Sequence, residues 1–563
     1  MADLEVIVPK LRLPNTSATD LCQKLPDSPF FTRPFADGPR IVFYFSSQAL
    51  PRLLLPYIED RKTSYGQSTS EGLKDSSGTR KRVIVEFSSP NVGSEFKGFH
   101  LRSTLLGAFI ANIHEGMGWD VVRLNYLGDW GKKLALLAIG FKRFGSEEHL
   151  KSRPLEHMLE VYLKIETLKR PEEEEIKKAK DEGRSTSELE NQGLSAERDA
   201  FFRDLEAQTE DAMSLWTQFR QLTIDHIQAS YERLGIRFDE YSGESQVKRE
   251  TMSQAEDKLK AAGYLEQNKE GSWLIDFAKH AGKAGKGLPA QVLRNHDGSS
   301  TYLLRDIGAA IDRYREHGFD KMIYVVPSRQ SSHFQQLSSS LRLLGYTELE
   351  EMIQHVSFGE VQGLEGHMSG PSLLGNILDQ SVLSIQTSSP PAGNEQLGQM
   401  AIAALLSKEV ATKKRSHSYA VNPSHISVEE EGAGLNLRQF HEQIVAKIRE
   451  LETPDVAGAV PDPSAFEDDM TAELLGALAR YPEVIAAAFK SLEPHTIFMY
   501  ISQLAESLDL EEDDGEEEEE AGPSSAQNED SLEVRRARLE LFRCARQVVE
   551  NGMRVLGFLV SSS

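Results

Sequence analysis

The chain has 563 residues, 39% of them hydrophobic and 27% charged, and its formal net charge is -24 at pH 7. This length allows about three or four domains with packed cores. The two cysteines exclude a disulfide framework and a cysteine-rich metal centre, the lack of a long apolar run excludes a membrane span, and the acidic balance excludes a globally basic surface for nucleic acid. Because the first residues do not resemble a secretory signal, we expect a cytoplasmic protein. We also expect that it uses no metal ion and no cofactor.

An α/β unit begins with the apolar run VIVEF at residues 83–87, which predicts a buried strand. A turn, SSPN, follows, and then an apolar helix containing LRSTLLGAFIANIHEGMG. Residues 121–131 predict a second strand with its loop, and KMIYVV at residues 321–326 predicts a further strand. Strands that alternate with helices in this way are typical of a parallel sheet.

Two other regions read as helical. Residues 165–235 are rich in charge and have a helical period, which predicts an insertion into the α/β unit. From about residue 436 the helical period returns. It is interrupted by the run DLEEDDGEEEEE at residues 509–520, which is too polar to form a core and predicts a loop. The last helix is amphipathic and rich in arginine.

Several segments resemble arginyl-tRNA synthetases in both order and spacing. They are VEFSSPN at Val85, HLRST at His100, NYLGDWGK at Asn125, YSGESQV at Tyr241, YLLRDIGAAIDR at Tyr302, DKMIYVV at Asp320 and HVSFGEVQG at His355. The stretch ARLELFRCARQVVENGMRVLG resembles the helical anticodon-binding domain of that family. The resemblance implies a Rossmann-type class I aminoacyl-tRNA synthetase catalytic domain, with a parallel sheet and a helical insertion, followed by an all-α anticodon-binding-like domain.

The predicted domain boundaries combine this resemblance with the composition. They are 1–80 for a partial N-terminal α+β module, 81–165 for the first half of the catalytic domain, 166–240 for the charged insertion, 241–385 for the second half, 386–435 for a connecting stem, and 436–563 for the helical domain with an acidic loop at 509–530.

The resemblance also implies an arginine pocket. Tyr302, Asp306 and Glu244 occupy the positions with which the family reads the guanidinium group, and Ser89, Asn91 and Gln330 occupy those that meet the α-amino end. A guanidinium is a planar fork of donors that carboxylates match in bidentate fashion. Residues four apart at a helix start share one face, so Tyr302 and Asp306 can act together. The alternative is an ordinary capping or surface aspartate beside a core tyrosine.

The first ATP signature of the family, a His-small-Gly-His turn, is altered. Its four positions are Lys97, Gly98, Phe99 and His100. In the family, the third position is a glycine because the adenine ring lies against bare backbone there. Phe99 is expected to occupy the place of the base.

The second ATP signature carries an adjacent Arg-Lys pair that neutralises the triphosphate. Here the corresponding loop, residues 364–371, has His367 and Met368 at those two positions, and Glu365 adds a negative charge. The loss of both signatures predicts that the chain does not activate an amino acid with ATP.

An intact arginine pocket beside a damaged ATP site resembles the fungal arginine-containing cyclodipeptide synthases. That resemblance predicts an aminoacyltransferase that uses arginyl-tRNA and a second aminoacyl-tRNA to form a cyclo(Arg-Xaa) diketopiperazine. His100 is then the candidate general base, and Lys97 the candidate contact for an oxyanion or the tRNA end. The alternatives for these two residues are a structural histidine and a solvated lysine.

Two other functions stay open: a divergent arginyl-tRNA synthetase that works as a ligase, and a non-catalytic protein that binds arginine or tRNA. For tRNA contact, Arg535, Arg538 and Arg546 of the last helix are the candidates, although only one face of that helix can meet RNA. We expect a monomer that contacts neither a membrane nor a metal ion.

Overall fold

The computed structural model describes residues 4–14, 16–46, 49–364, 372–388, 393–426, 432–456, 461–466, 469–508 and 531–560. The chain forms two compact units. One contains residues 1–68 and 435–563, and the other contains residues 69–434. Within the described residues, no helix combines the length and the apolar content that crossing a bilayer requires.

The N-terminal part of the first unit is a small α+β module and a helix. Its elements are β1 Leu4–Ile7, α1 Ala18–Lys24, β2 Phe35–Asp37, β3 Arg40–Phe43 and α2 Ala49–Arg61. The three strands form an antiparallel sheet in the order β1-β3-β2. Val8, Ala18 and Ile41 form its small core.

The second unit carries the large sheet. Its first half contains β4 Arg82–Glu86, α3 Gly98–Gly116 and β5 Asp120–Leu127. The insertion contains α4 Lys132–Phe144, α5 Glu147–Ser152, α6 Pro154–Asp181, α7 Ser187–Glu190, α8 Gly193–Glu206 and α9 Glu210–Arg233. The second half begins with β6 Glu240–Gly243, α10 Arg249–Ala261, β7 Leu265–Gln267, β8 Trp273–Ile275, α11 Phe277–His280 and β9 Gln291–Arg294. It continues with α12 Tyr302–His317, β10 Lys321–Pro327, α13 Ser331–Leu343, α14 Thr347–Met352, β11 Ile353–Phe358, β12 Val361–Gln362, α15 Leu374–Ser388, α16 Asn394–Ala411 and β13 Tyr419–Ala420.

Five strands of this unit form a parallel sheet in the order β11-β10-β4-β5-β6. The middle residues of β4 are fully buried, which is why apolar residues follow one another along this strand instead of alternating with polar ones. The prediction of a parallel sheet interrupted by a helical insertion is confirmed, since α4 to α9 lie between β5 and β6. The chain passes from β4 to β5 on one side, while β10 lies on the other side of β4. Ligands of such sheets bind at this point of reversal, beyond the carboxyl ends of the strands.

The C-terminal part of the first unit is helical, as predicted. Its helices are α17 Gly432–Leu451, α18 Asp469–Ser491, α19 His495–Leu508 and α20 Leu532–Leu556. Helix α20 also packs on the N-terminal helix α2, and the side-chain amide of Asn551 donates to the backbone oxygen of Lys62 at 2.8 Å. These contacts explain why residues 49–68 belong with the C-terminal helices, whereas the predicted N-terminal module ended at residue 80. The predicted acidic loop, 509–530, lies outside the described residues.

Candidate active site

The turn after β4 is strained and firmly held. Ser88 and Ser89 both have left-handed backbone angles, with φ values of 71° and 52°, which are costly for residues with a side chain. The Ser88 N–H donates to the hydroxyl oxygen of Ser103 at 2.9 Å, and that hydroxyl donates to the Val325 carbonyl at 2.6 Å. The start of α3 is therefore tied to both central strands, and strain at the turn is offset by these bonds.

The residues predicted for the α-amino end follow the two central strands. Ser89 and Asn91 come after β4, and Gln330 is exposed at the start of α13, directly after β10. Asn91 forms a parallel bridge with Gly128, where an added Cβ would lie 1.7 Å from the Asn91 side-chain oxygen. A glycine is thus required at residue 128. Because β4 and β10 are adjacent and parallel, these three residues lie at the same edge of the sheet.

Asp129 positions the loop that carries Glu244. This buried carboxylate accepts hydrogen bonds from the backbone N–H and the hydroxyl of Ser245, at 2.9 and 2.7 Å. It also accepts one from Arg220 at 2.8 Å. The hydrogen bonds of Asp129 therefore join the GDWGK segment to the YSGES segment. This contact is a physical reason for the presence of both motifs.

Glu244 forms a buried ion pair with Arg305, whose Nε donates to the carboxylate at 2.7 Å. Burial raises the pKa of Glu244 to about 7, against the opposing effect of the Arg305 charge. The Arg305 guanidinium also lies 5.0 Å from the centre of the Tyr302 ring. Tyr302 itself is 63% exposed, so its ring is accessible to a ligand.

Asp306 lies one turn after Tyr302 on α12 and contacts His333 of α13. The distance from His333 Nε2 to Asp306 Oδ2 is 2.6 Å, and both side chains are about one-quarter exposed, at 25% and 27%. Burial lowers the pKa of His333, but the hydrogen bond and charge of Asp306 outweigh it, and the net shift is upward. Asp306 therefore already has a hydrogen-bond partner within the protein, and the carboxylate favours the cationic form of that partner.

A third carboxylate, Glu86 at the end of β4, is buried against Arg313 at 2.6 Å. The Arg313 guanidinium lies 4.4 Å from the centre of the Tyr126 ring and donates to the Tyr324 hydroxyl at 3.3 Å. Burial raises the pKa of Glu86 to about 7, and the charge of Asp306 adds to the increase.

These residues form a carboxylate cluster, which we define as Glu86, Glu244 and Asp306. Asp306 acts electrostatically on both glutamates, so the three charges share one region. Such a cluster suits a ligand with a cationic side chain. The structure brings together the predicted Glu244, Tyr302 and Asp306.

Sequence reasoning missed the partners of the three carboxylates. Arg305 lies inside the YLLRD segment, and Arg313 lies two turns after Asp306 on the same helix, so the helical spacing of the sequence could have identified both. His333 lies on another helix, and no spacing in the sequence connects it with Asp306.

The altered first ATP signature lies at the start of α3. Lys97 is the residue before the helix, and its backbone N–H donates to Nδ1 of His100 at 2.8 Å. His100 is buried, and burial lowers its pKa to about 3, helped by nearby cations. These surroundings argue against the predicted role of His100 as general base, because an imidazole with so low a pKa is a weak base and its Nδ1 already accepts the Lys97 N–H.

Phe99 is packed between charged and aromatic groups. The Arg329 guanidinium lies 4.1 Å from the centre of its ring, and the His100 ring centre is also 4.1 Å away. One guanidinium nitrogen of Arg329, Nη1, in turn donates to both carboxylate oxygens of Glu360, at 2.8 and 2.7 Å. Gly98 packs so tightly that an added Cβ would lie 2.8 Å from the backbone oxygen of Val361. His367, Met368 and Glu365 of the second signature lie outside the described residues.

In the helical unit, the arginines predicted to bind tRNA differ in their surroundings. Arg538 is exposed, whereas Arg535 and Arg546 are half-buried. Arg546 also lies 3.6 Å from the Glu550 carboxylate, one turn away. Contact between these arginines and RNA stays a prediction.

Comparison with known proteins decides the family. Residues 67–382 match the family described as tRNA synthetases class I (R), catalytic domain. Residues 442–562 match the DALR anticodon binding domain. The chain belongs to the arginyl-tRNA synthetase family.

Relatives and solved structures cover nearly the whole chain. The cytoplasmic arginine–tRNA ligase of Saccharomyces cerevisiae is 34% identical, over 99% of this chain and 88% of its own. The mitochondrial arginine–tRNA ligase of the same yeast is 32% identical, over 93% of this chain and 77% of its own. The fold is that of the Thermus thermophilus arginyl-tRNA synthetase, with a TM-score of 0.70 and 20% identity over 98% of this chain and 92% of that one.

These relatives overturn the prediction of a cyclodipeptide synthase. The two yeast proteins match almost the full chain at about one-third identity, and both are arginine–tRNA ligases. Diketopiperazine formation and a second aminoacyl-tRNA partner are therefore withdrawn. The catalytic roles assigned to His100 and Lys97 in that reaction are withdrawn with them.

Proposed function

We propose that the chain is an arginine–tRNA ligase with divergent ATP signatures, acting in the cytoplasm on arginine, ATP and tRNA. The observation that carries this proposal is the carboxylate cluster at the edge of the sheet, formed from the same segments that mark the family. Because a family fold alone does not define a substrate, we infer the substrate from the charges of the site.

Each part of the amino acid has a proposed contact. Asp306 and Glu244 bind the guanidinium group, and the exposed Tyr302 ring packs against it. Ser89, Asn91 and Gln330, at the carboxyl ends of β4 and β10, hold the α-amino end.

Binding in this way would place the arginine carboxylate beside the α3 start, where ATP must meet it. The helical domain, with Arg535 and Arg538, is the proposed contact for tRNA.

A second function, binding of arginine and tRNA without adenylation, is favoured by one observation. Phe99 stands where the family has a glycine, and Arg329 packs on its ring at 4.1 Å. Adenine would have to displace this stack or bind beside it. The two functions share the arginine pocket and differ only in the use of ATP.

The deciding experiment is arginine-dependent exchange of pyrophosphate into ATP, measured on the full chain with and without tRNA, followed by charging of tRNA with labelled arginine. The ligase is expected to support both reactions, and Asp306→Asn is expected to weaken both by raising the arginine concentration required. Arginine binding without exchange or charging would overturn the ligase and favour the second function.

A further inference from the structure

His333 supplies Asp306 with a partner when no arginine is bound. The contact runs between helices α12 and α13, and its 2.6 Å distance is that of a short hydrogen bond to a carboxylate. Both groups are partly exposed, so a ligand can approach the carboxylate.

We propose that His333 is a positioning residue that orients the Asp306 carboxylate for arginine and releases a proton when arginine binds. This inference rests on the arginine pocket of the proposed function, and goes beyond it by naming a residue that sets the dependence of binding on pH.

The chemistry of the imidazole gives the first argument. A histidine with Nε2 protonated donates one hydrogen bond to Asp306 whether it is neutral or cationic. The neutral form therefore still holds the carboxylate in place. The cationic form does the same, but puts a positive charge against the oxygen that the guanidinium must also reach.

The charges around His333 give the second argument. Asp306 and Glu244 both favour its cationic form, and the pKa of His333 is raised as a result. The neighbouring residue Phe334 stacks on His355 of β11, with 4.6 Å between the ring centres. Burial lowers the pKa of His355, and the charge of His333 adds to this effect. Arginine brings a new positive charge to the two carboxylates, so it offsets the influence by which they raise the pKa of His333.

Linkage fixes the sign. If arginine lowers the pKa of His333, binding releases a proton, and arginine affinity rises as pH rises through the pKa of the free state. Glu244 and Glu86, whose pKa values are raised to about 7, contribute release in the same direction, since arginine favours their charged forms. The contribution of His333 is therefore isolated by comparing variants rather than by the wild-type profile alone.

The test is calorimetric titration of arginine into the full chain in two buffers with different ionisation enthalpies, between about pH 6 and 8. His333→Gln keeps an N–H donor near the position of Nε2 but does not titrate, and His333→Ala removes the donor. His317→Gln is the matched control, because His317 lies 3.3 Å from Glu240 at the other end of α12.

The expected result is that His333→Gln binds arginine within a few-fold of wild type at pH 8 but releases fewer protons, by up to about one. His333→Ala should bind about tenfold more weakly, as expected for the loss of one hydrogen bond to a charged group. His317→Gln should match the wild type in affinity and in proton release. A purely structural role for His333 would lower affinity without changing proton release.

Equal proton release in wild type and His333→Gln would overturn the inference while leaving the pocket intact. If the wild type does not bind arginine at all, the proposed function fails instead. NMR titration of the His333 ring in the wild type provides a measurement that needs no variant. A His333 pKa that arginine leaves unchanged would also overturn the inference.

Discussion

Replacing Asp306 with asparagine tests the arginine pocket most directly. The substitution keeps the size of the side chain and one acceptor oxygen for His333, but removes the negative charge and one of the two oxygens that a guanidinium can grip. The contact between His333 Nε2 and the remaining oxygen can persist, so the fold around α12 and α13 is expected to survive.

The magnitude follows from the exposure of the site. A hydrogen bond to a charged group contributes about 1.5–3 kcal/mol, and a bidentate contact contains two of them. Because the Asp306 side chain is 27% exposed, screening by water reduces the total, and the asparagine retains part of one bond. A loss of about 2–3 kcal/mol is expected, which corresponds to an arginine affinity about 30- to 140-fold weaker.

The assay is calorimetric titration of arginine, with thermal unfolding of each variant as a check on the fold. Glu316→Gln is the control, since Glu316 is on the same helix but forms an exposed ion pair with Lys248 at 2.5 Å. It should bind arginine as the wild type does. An Asp306→Asn variant that keeps wild-type affinity within about threefold would refute the assignment of the pocket.

Three further predictions concern ATP, stability and pH. Phe99→Gly should remove the ring on which Arg329 packs and increase pyrophosphate exchange at limiting ATP by about tenfold or more; unchanged or lower exchange would contradict a steric role for the ring. Arg102→Met should reduce the free energy of unfolding by about 3–5 kcal/mol in denaturant titrations, because Glu409, 2.9 Å away and 3% exposed, keeps a buried charge. The double variant with Glu409→Met should recover part of that loss, and strict additivity of the two single effects would argue against the pairing. Arginine affinity in the wild type should fall as pH drops through about 7, because Glu244 takes up a proton there; a profile that is flat between about pH 6 and 8 would contradict the raised pKa.

The motif segments indicated where the candidate site residues lie in the fold, because local sequence determines where strands end and helices begin. Tyr302 and Asp306 were placed on one helix face by their spacing, and α12 begins at Tyr302. Ser89 and Gln330 were each placed after an apolar run, and the two runs proved to be neighbouring parallel strands.

The prediction for His100 rested on its place in a motif, and a motif does not reveal the surroundings of a side chain. Its pattern indicated a histidine near a reaction centre, whereas burial and the Lys97 N–H make it a weakly basic cap. The ionisation of a side chain depends on its surroundings in three dimensions, and these come from other parts of the chain.

The amino-acid sequence by itself determined the family, the parallel sheet with its inserted helices, the helical C-terminal domain and the candidate contacts for arginine, because these depend on periodicity and on motifs read along the chain. Only the tertiary structure decided how the charges are compensated. Arg305, Arg313 and His333 meet Glu244, Glu86 and Asp306 across distances of 27 to 227 residues in sequence. The physical reason is that a buried charge is stabilised by whichever group the fold brings within hydrogen-bonding distance, and that group need not be near it in sequence.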